Sequence, residues 1–331
     1  MTDQMVPGPE VSDGLDESYD VVVVGGGSAG LSAGLMLGRA LRRVAVVDAG
    51  APRNAPAHEV HGLLGRDGTP PAELLARGRS EVRRYGGHVV VGTVGQVSGT
   101  DGAFTVDLAD GRTTLARKLL VTTGLADELP DVAGLRERWG RDVLHCPYCH
   151  GWEVRGQAIG VVASGPMALH QVLLFRQWSD DVTLFTHTQD APSPEDAERL
   201  AARGIGVVEG RVASVEVRDD RVTGLRLADG TLVAREAVVV GTYMRARADL
   251  LGALGLEAVP HPSGTGEHVP ADPVGRTAVP GVSVAGNVTD LTAQVGAAAA
   301  AGAMAAAVLN ADLVTEETAT AVQAARTSRV A

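Results

Sequence analysis

Short runs that are apolar at every position recur along this chain, and each ends at a glycine or a small polar residue. Residues 20–24, 44–47 and 88–91 read DVVVV, VAVV and HVVV, apolar throughout once past the Asp20 and His88 that open two of them. Alternation would mark a strand with one wet face. An unbroken run marks a strand covered on both faces, as in a parallel sheet packed between layers. Segments of helical spacing lie between these runs, at 31–40 and 72–85. Residues 94–115 then alternate between Gly and Asp turns, which predicts a β-meander, and the run 119–121 closes the unit at Thr122-Thr123-Gly124. The same order returns. A strand at 159–163, a helix at 167–178, strands at 182–185 and 205–208 and a meander at 212–233 lead to the run 237–240, which closes at Gly241-Thr242. A unit of this kind occurring twice predicts an α/β fold with two nucleotide-binding-like domains. Residues 275–312 add a strand (282–285), a turn and an Ala-rich helix, and are expected to return to the first unit. The predicted organisation is a disordered arm (1–18), a discontinuous first domain (19–126 and 256–313), an inserted second domain (127–255) and a tail (314–331).

Composition narrows the class. Of 331 residues, 45% are hydrophobic and 21% charged, the ordinary range of a soluble globular protein with room for two domains. The net charge of −11 argues against a nucleic-acid binder, which needs a basic face for phosphates. Residues 1–18 are polar and acidic and lack the basic and apolar regions of a secretory signal. The membrane-like run 291–309 is rich in Ala and Gly and carries Gln294, which predicts a buried, closely packed helix and no membrane association. The expected compartment is the reducing cytoplasm, where a lone Cys-x-x-Cys reads as redox-active and not as a structural staple.

Gly25-Gly26-Gly27-Ser28-Ala29-Gly30 stands between the first strand and the first helix, the context a dinucleotide fingerprint requires. Gly25 permits the tight turn, Gly27 lets the backbone approach a pyrophosphate, and Gly30 lets helix and strand close together. The helix N-terminus at Ser28 and Ala29 favours phosphate. Asp48 ends the second strand, placed to accept from a ribose diol. The motif alone does not separate FAD from NAD. The second half reads Ala163-Ser164-Gly165-Pro166-Met167-Ala168 at the equivalent turn and keeps only the middle glycine. Its next strand ends in Thr186-His187-Thr188, with no acid for a ribose diol and no Arg pair for a 2′-phosphate. The expectation is a domain that keeps its fold and has lost tight nicotinamide binding. His187 is the nearest residue for binding by another route.

Cys146 and Cys149, in Cys146-Pro147-Tyr148-Cys149, are the only two cysteines. On the first turn of a helix, residues three apart share a face, so the sulfurs can reach bonding distance, and a helix N-terminus stabilises a thiolate. A zinc site would need a second Cys pair or a spaced His pair, and neither follows, although His145 and His150 flank the motif. Two inert buried thiols are the other alternative. His150 could move protons as sulfur and cofactor change charge, or could be a satisfied loop histidine.

With these residues in view, the chain resembles the low-molecular-weight thioredoxin reductases over residues 19–313. The likeness rests on the glycine fingerprint, the Thr-Gly strand ends, Cys-x-x-Cys-x-Gly from Cys146 to Gly151, and VPGVSVAGNV at 279–288. It implies two Rossmann-like domains of three layers (ββα), a homodimer, and FAD in the first domain beside the fingerprint, Asp48, Thr123 and Gly124. It also implies that Cys149 faces the flavin while Cys146 exchanges with substrate. Gly286 and Asn287 would hold the ribityl–phosphate part, and Gln294 and Val295 would sit by the flavin pyrimidine edge. Three features depart from the reductases. His150 stands where they carry Asp, Asn287 stands where they carry Asp, and the second glycine motif and 2′-phosphate clamp are missing. These departures resemble the dithiol oxidases of holomycin- and gliotoxin-type natural products, which share Cys-x-x-Cys-His. The expected function is an FAD-dependent dithiol oxidase acting on a small-molecule dithiol, with O2 as acceptor, H2O2 as product, and His150 and His145 as acid/base. An NAD(P)H-dependent disulfide reductase and a flavin-bound redox sensor are the alternatives. The Pro/Gly-rich loop 51–71, with His58 and His61, either covers the flavin or lies in solvent.

Overall fold

The structure, a computed structural model, describes residues 12–330. The first unit runs β1 (Ser18–Val24), α1 (Ser28–Arg39), β2 (Val44–Asp48), α2 (Pro71–Arg84) and β3 (His88–Val91). The meander β4 (Val94–Thr100), β5 (Ala103–Leu108) and β6 (Thr113–Val121) follows. These strands form one sheet in the order β3-β2-β1-β6-β5-β4, with β1 parallel to both β2 and β6. Because the central runs are apolar at every position, alternate residues feed two different cores. Val21, Val23, Val44 and Val46 pack with Leu37 of α1 and Val82 of α2. Val22, Val24, Ala45 and Val47 pack with Phe104 and Val106 of the meander. The unit therefore has three layers.

The chain leaves through β7 (Leu125–Glu128), the short α3 (Leu135–Arg138), β8 (Val143–Leu144) and α4 (Pro147–His150). The second unit follows: β9 (Ile159–Val162), α5 (Ala168–Phe175), β10 (Val182–Phe185), α6 (Pro194–Ala202) and β11 (Gly206–Val208). An antiparallel sheet of β12 (Val212–Arg218), β13 (Arg221–Leu227) and β14 (Leu232–Ala234) precedes β15 (Ala237–Val240). Its parallel sheet has the order β11-β10-β9-β15-β8 and again divides two cores, Val161 and Val239 on the helix side and Val162 and Val240 on the other. β16 (Tyr243–Ala246) returns antiparallel to β7. The hairpin β17 (Val259–Pro260) and β18 (Glu267–His268) follows. Then β19 (Val282–Val284) pairs with β6, and α7 (Val295–Val330) packs along α1. The expected return of the C-terminal segment to the first unit is thus a strand pairing and a helix contact.

The structure corrects three expectations. Residues 1–11 of the expected arm lie outside the described residues. Residues 12–17 are held, because the Asp13 carboxylate accepts from the Val89 N–H at 2.7 Å and from Arg83 Nε at 2.8 Å. The return from the second unit falls near Gly241, not at 255. Met244, Ala246, Ala248, Leu250 and Leu251 are buried in the first core, where their apolar side chains complete the meander side. The expected tail is the continuation of α7. Glu317 accepts from Arg42 and Arg117 at 2.6 Å each, and Glu316 pairs with Lys118, the sole lysine, which also donates to Asp101 at 2.7 Å.

α7 is long and apolar enough to cross a bilayer by length and composition. It is packed along α1, as the run 291–309 predicts. One stripe (Ala298, Gly302, Ala305, Ala306, Leu309) packs inward, while Met304 on the other side is 53% exposed.

Candidate active site

A cleft of about 1490 Å³ is lined by both glycine turns, the dithiol and the loop after β2. Of the residues singled out in the sequence, Gly25, Gly27, Ser28, Ala29, Asp48, Thr123, Gly124, Gly286, Asn287, Gln294 and Val295 line it. His145, Cys146, Cys149 and His150 line the same cleft. Gly30 does not. A β-carbon there would collide with the Gly25 carbonyl, so its role is the close approach of α1 to the turn.

The first turn has room where a phosphate would come. Gly25 sits at φ +108°, and a β-carbon on it would lie 2.5 Å from the Thr122 carbonyl oxygen. A β-carbon on Gly27 would meet nothing within 4 Å. Gly27 is also the N-cap of α1 and no side chain among the described residues caps that helix end, so its first N–H groups are left for a ligand. The Asp48 carboxyl lies against Gly26, about 2.7 Å from where a β-carbon would be. The Asn287 amide donates to the Asp290 and Ala293 carbonyls at 3.0 and 2.9 Å, which fixes its orientation at the cleft wall. These residues fit the pyrophosphate and ribose of a dinucleotide.

The second turn differs. Ser164 Oγ donates to the Gly241 carbonyl at 2.7 Å, and the would-be β-carbon of Gly264, on the loop between β17 and β18, lies 3.7 Å from Pro166. His187 is absent from the cleft lining. Its backbone is left-handed (φ 52°) and its Nδ1 accepts from the Val212 N–H at 3.1 Å, so the ring is spent on the meander.

Cys146 is the N-cap of α4 and Cys149 lies in its single turn, and both thiols are free. Gly151 follows because a β-carbon there would press on the Pro147 carbonyl and the Trp178 ring. Tyr148, between the cysteines, is 63% exposed and meets Trp178 edge-on, with ring centroids 5.9 Å apart. The Cys149 thiol donates to Cys146. That bond, with the Cys149 and Tyr148 N–H groups and the nearby Arg53 charge, outweighs burial and lowers the Cys146 pKa to about 7. Cys149 is pushed up by the same hydrogen bond, by burial and by the charge on Cys146.

The two histidines differ. His145 Nδ1 lies 3.1 Å from the Val240 carbonyl, which only accepts, so Nδ1 carries the proton and Nε2 is the free base. Burial lowers its pKa. Burial also lowers that of His150, against the pull of Glu153. Both His150 ring nitrogens are buried without a hydrogen-bond partner among the described residues.

Three site residues were not anticipated. Arg53 donates through Nε and Nη2 to the Asp127 carboxylate at 2.6 and 2.7 Å, and Thr242 Oγ1 donates to Asp127 at 2.7 Å. Burial alone would raise the Asp127 carboxyl, but the hydrogen bonds from Arg53 and Thr242 and the Arg53 charge outweigh it and hold the group below its usual range. No local pattern marks them, because the pair joins loop 51–70 to a strand 74 positions away. That loop lines the cleft through Ala51, Arg53 and His61 and is not a free solvent loop.

The doubled three-layer unit and the dithiol beside a dinucleotide turn define a flavin-dependent thiol/disulfide oxidoreductase. The sequence profile of the Pyridine nucleotide-disulphide oxidoreductase family matches residues 19–307, and the chain belongs to that family in its thioredoxin reductase-like form. Membership implies FAD. The crystal structure of HlmI superposes with a TM-score of 0.89 and 46% identity, covering 97% of this chain and 100% of that one. Thioredoxin reductase tcpT of Claviceps purpurea (strain 20.1) is 33% identical over 280 residues, 81% of this chain and 86% of its own length. The putative thioredoxin reductase TrxB of Bacillus anthracis superposes with a TM-score of 0.84 at 28% identity, covering 90% of this chain and 99% of that one.

Proposed function

We propose that the protein is a cytoplasmic FAD-dependent dithiol oxidase that closes a disulfide in a small-molecule dithiol. The observation that carries this reading is the second turn. It has one glycine where nucleotide sites use three, its serine is bonded to the chain's own backbone, and the following strand offers no ribose acid. Electrons would then come from a dithiol, not from a nicotinamide.

Gly25, Gly27, Ser28, Ala29, Asp48, Thr123, Gly124, Gly286, Asn287, Gln294 and Val295 would hold FAD, with Gly30 supporting the turn. A substrate thiolate attacks Cys146 Sγ in the oxidised pair, and Cys149 leaves. The second substrate thiolate displaces Cys146 and forms the product disulfide. A thiol with a pKa of about 7 is a good leaving group at neutral pH. His145, whose Nδ1 is held by the Val240 carbonyl, and His150, with no hydrogen-bond partner among the described residues, accept the substrate protons. Bound FAD would take the electron pair and yield it to oxygen as hydrogen peroxide.

The test is anaerobic mixing of the yellow protein with dithiothreitol, NADPH or NADH in turn. Dithiothreitol bleaches the flavin, and air restores the colour with one peroxide per cycle. Cys149→Ser stays yellow and loses turnover by more than about 10³-fold. Rapid bleaching by NADPH or NADH would overturn the oxidase direction and favour the second reading, a disulfide reductase, which the name of the Claviceps relative supports.

A further inference from the structure

We infer that His61 and Glu153 join His150 in a proton relay, which links the Cys146–Cys149 pair to solvent through a second, smaller cavity. The inference rests on the dithiol-oxidase reading above and names the path its protons take. The overall reaction conserves protons, but its halves do not. Oxidising a dithiol to a disulfide releases two protons with the electron pair; FAD, on becoming the anionic reduced form, would keep one of them, so one proton leaves in the first half and returns when O2 becomes H2O2. Groups beside the dithiol must therefore export that proton and return it.

A cavity of about 100 Å³ lies beside the main cleft, and His150, His61 and Glu59 line both. It has volume for a few waters at about 30 Å³ each. His58, Arg141 and Glu153 complete its polar lining. His150 follows Cys149 directly and has both ring nitrogens buried without a hydrogen-bond partner among the described residues. A buried polar group left unsatisfied is costly, so its partners belong in the cavity.

His61 is the next station. Its Nε2 lies 3.4 Å from Glu153 Oε1 and 3.6 Å from Glu59 Oε2, and its Nδ1 lies 3.5 Å from Asp67 Oδ1. Each gap is a few tenths of an ångström beyond hydrogen-bond length, so a small rotation closes it. The His61 side chain is 19% exposed, and each of its three acid neighbours is more exposed, Glu153 41%, Glu59 52% and Asp67 70%. The gradient runs from His61 to water. The contact also joins the loop after β2 to the turn after α4, elements from the two halves of the molecule.

The experiment mixes FAD-loaded His61→Gln and Glu153→Gln with dithiothreitol, anaerobically and in weak buffer, with a pH-indicator dye present. Both variants are expected to bleach about tenfold more slowly than wild type, with the dye signal lagging the flavin signal. Added imidazole is expected to restore the rate of His61→Gly. Wild-type bleaching and proton release in both Gln variants at every pH would overturn the relay. So would a slowed His61→Gly that imidazole does not rescue, because the defect would then lie in the loop contact alone. If wild type is bleached by NADPH and not by dithiothreitol, the oxidase reading fails by itself, and the same variants with NADPH still decide the relay by the same lag and rescue.

Discussion

At Cys146 two effects oppose each other. Burial raises the pKa of a thiol, while the Cys149 thiol, two N–H groups and the Arg53 charge favour the thiolate, and the second set prevails. The rate at which iodoacetamide alkylates the reduced protein should therefore rise with pH up to about 7 and level off above it. Below that value the thiolate fraction, and with it the rate, falls about tenfold per pH unit. Arg53→Ala should move this profile to higher pH. It should also destabilise the fold by about 3 kcal/mol, because the Asp127 carboxylate, 7% exposed, loses its partner. A lower urea midpoint checks the second effect. Leu41, after α1, shows strain at the same scale. It is 93% exposed and held at φ 60°. Leu41→Gly relieves about 1–2 kcal/mol of left-handed strain and returns part of it as unfolded-state entropy. A net gain of roughly 0.5–1 kcal/mol in denaturant melts is expected. The cysteines and the turn glycines were legible in the sequence because their chemistry is local. Arg53, Asp127 and Thr242 were not, because a salt bridge between distant segments leaves no spacing to read.

Elements were legible where burial imposes a period. The unbroken apolar runs of β1, β2, β9 and β15 announce strands covered on both faces, and the structure assigns their alternate residues to separate cores. α6 was overlooked. It buries only Leu200, so it has almost no apolar stripe, although Ser193 caps it by accepting from the Asp196 N–H at 3.2 Å and Pro194 opens it. α7 was legible from its composition: an Ala-rich run predicts a closely packed helix, and its small residues bring one stripe against α1. A β-carbon on Gly302 would collide with the Ala29 backbone, at the helix end that flanks the first glycine turn. Gly302→Val should cost about 2 kcal/mol by overpacking and lower Tm by about 4 °C. Because Ala29 lies on the cleft wall, the variant should also release FAD more readily, read as flavin lost on dilution.

At the scale of the whole molecule, the C-terminal segment completes the first unit, and the two halves share one cleft. Light scattering is expected to give twice the protomer mass, the homodimer that resemblance to the reductases implies. A monomer at micromolar concentration would remove that expectation. The sequence by itself determined what depends on near neighbours in the chain: the repeated strand–turn–helix order, the intact and degenerate glycine turns, and the dithiol with its adjacent histidine. Each is a local pattern, set by backbone sterics, burial period or the reach of two side chains three residues apart. Only the tertiary structure decided where the second unit ends, what holds residues 12–17, and which charge faces the thiols. It alone set His61 and Glu153 beside the dithiol. Those outcomes rest on contacts between segments far apart in the chain, whose partners are chosen by packing and charge after the sheets have formed.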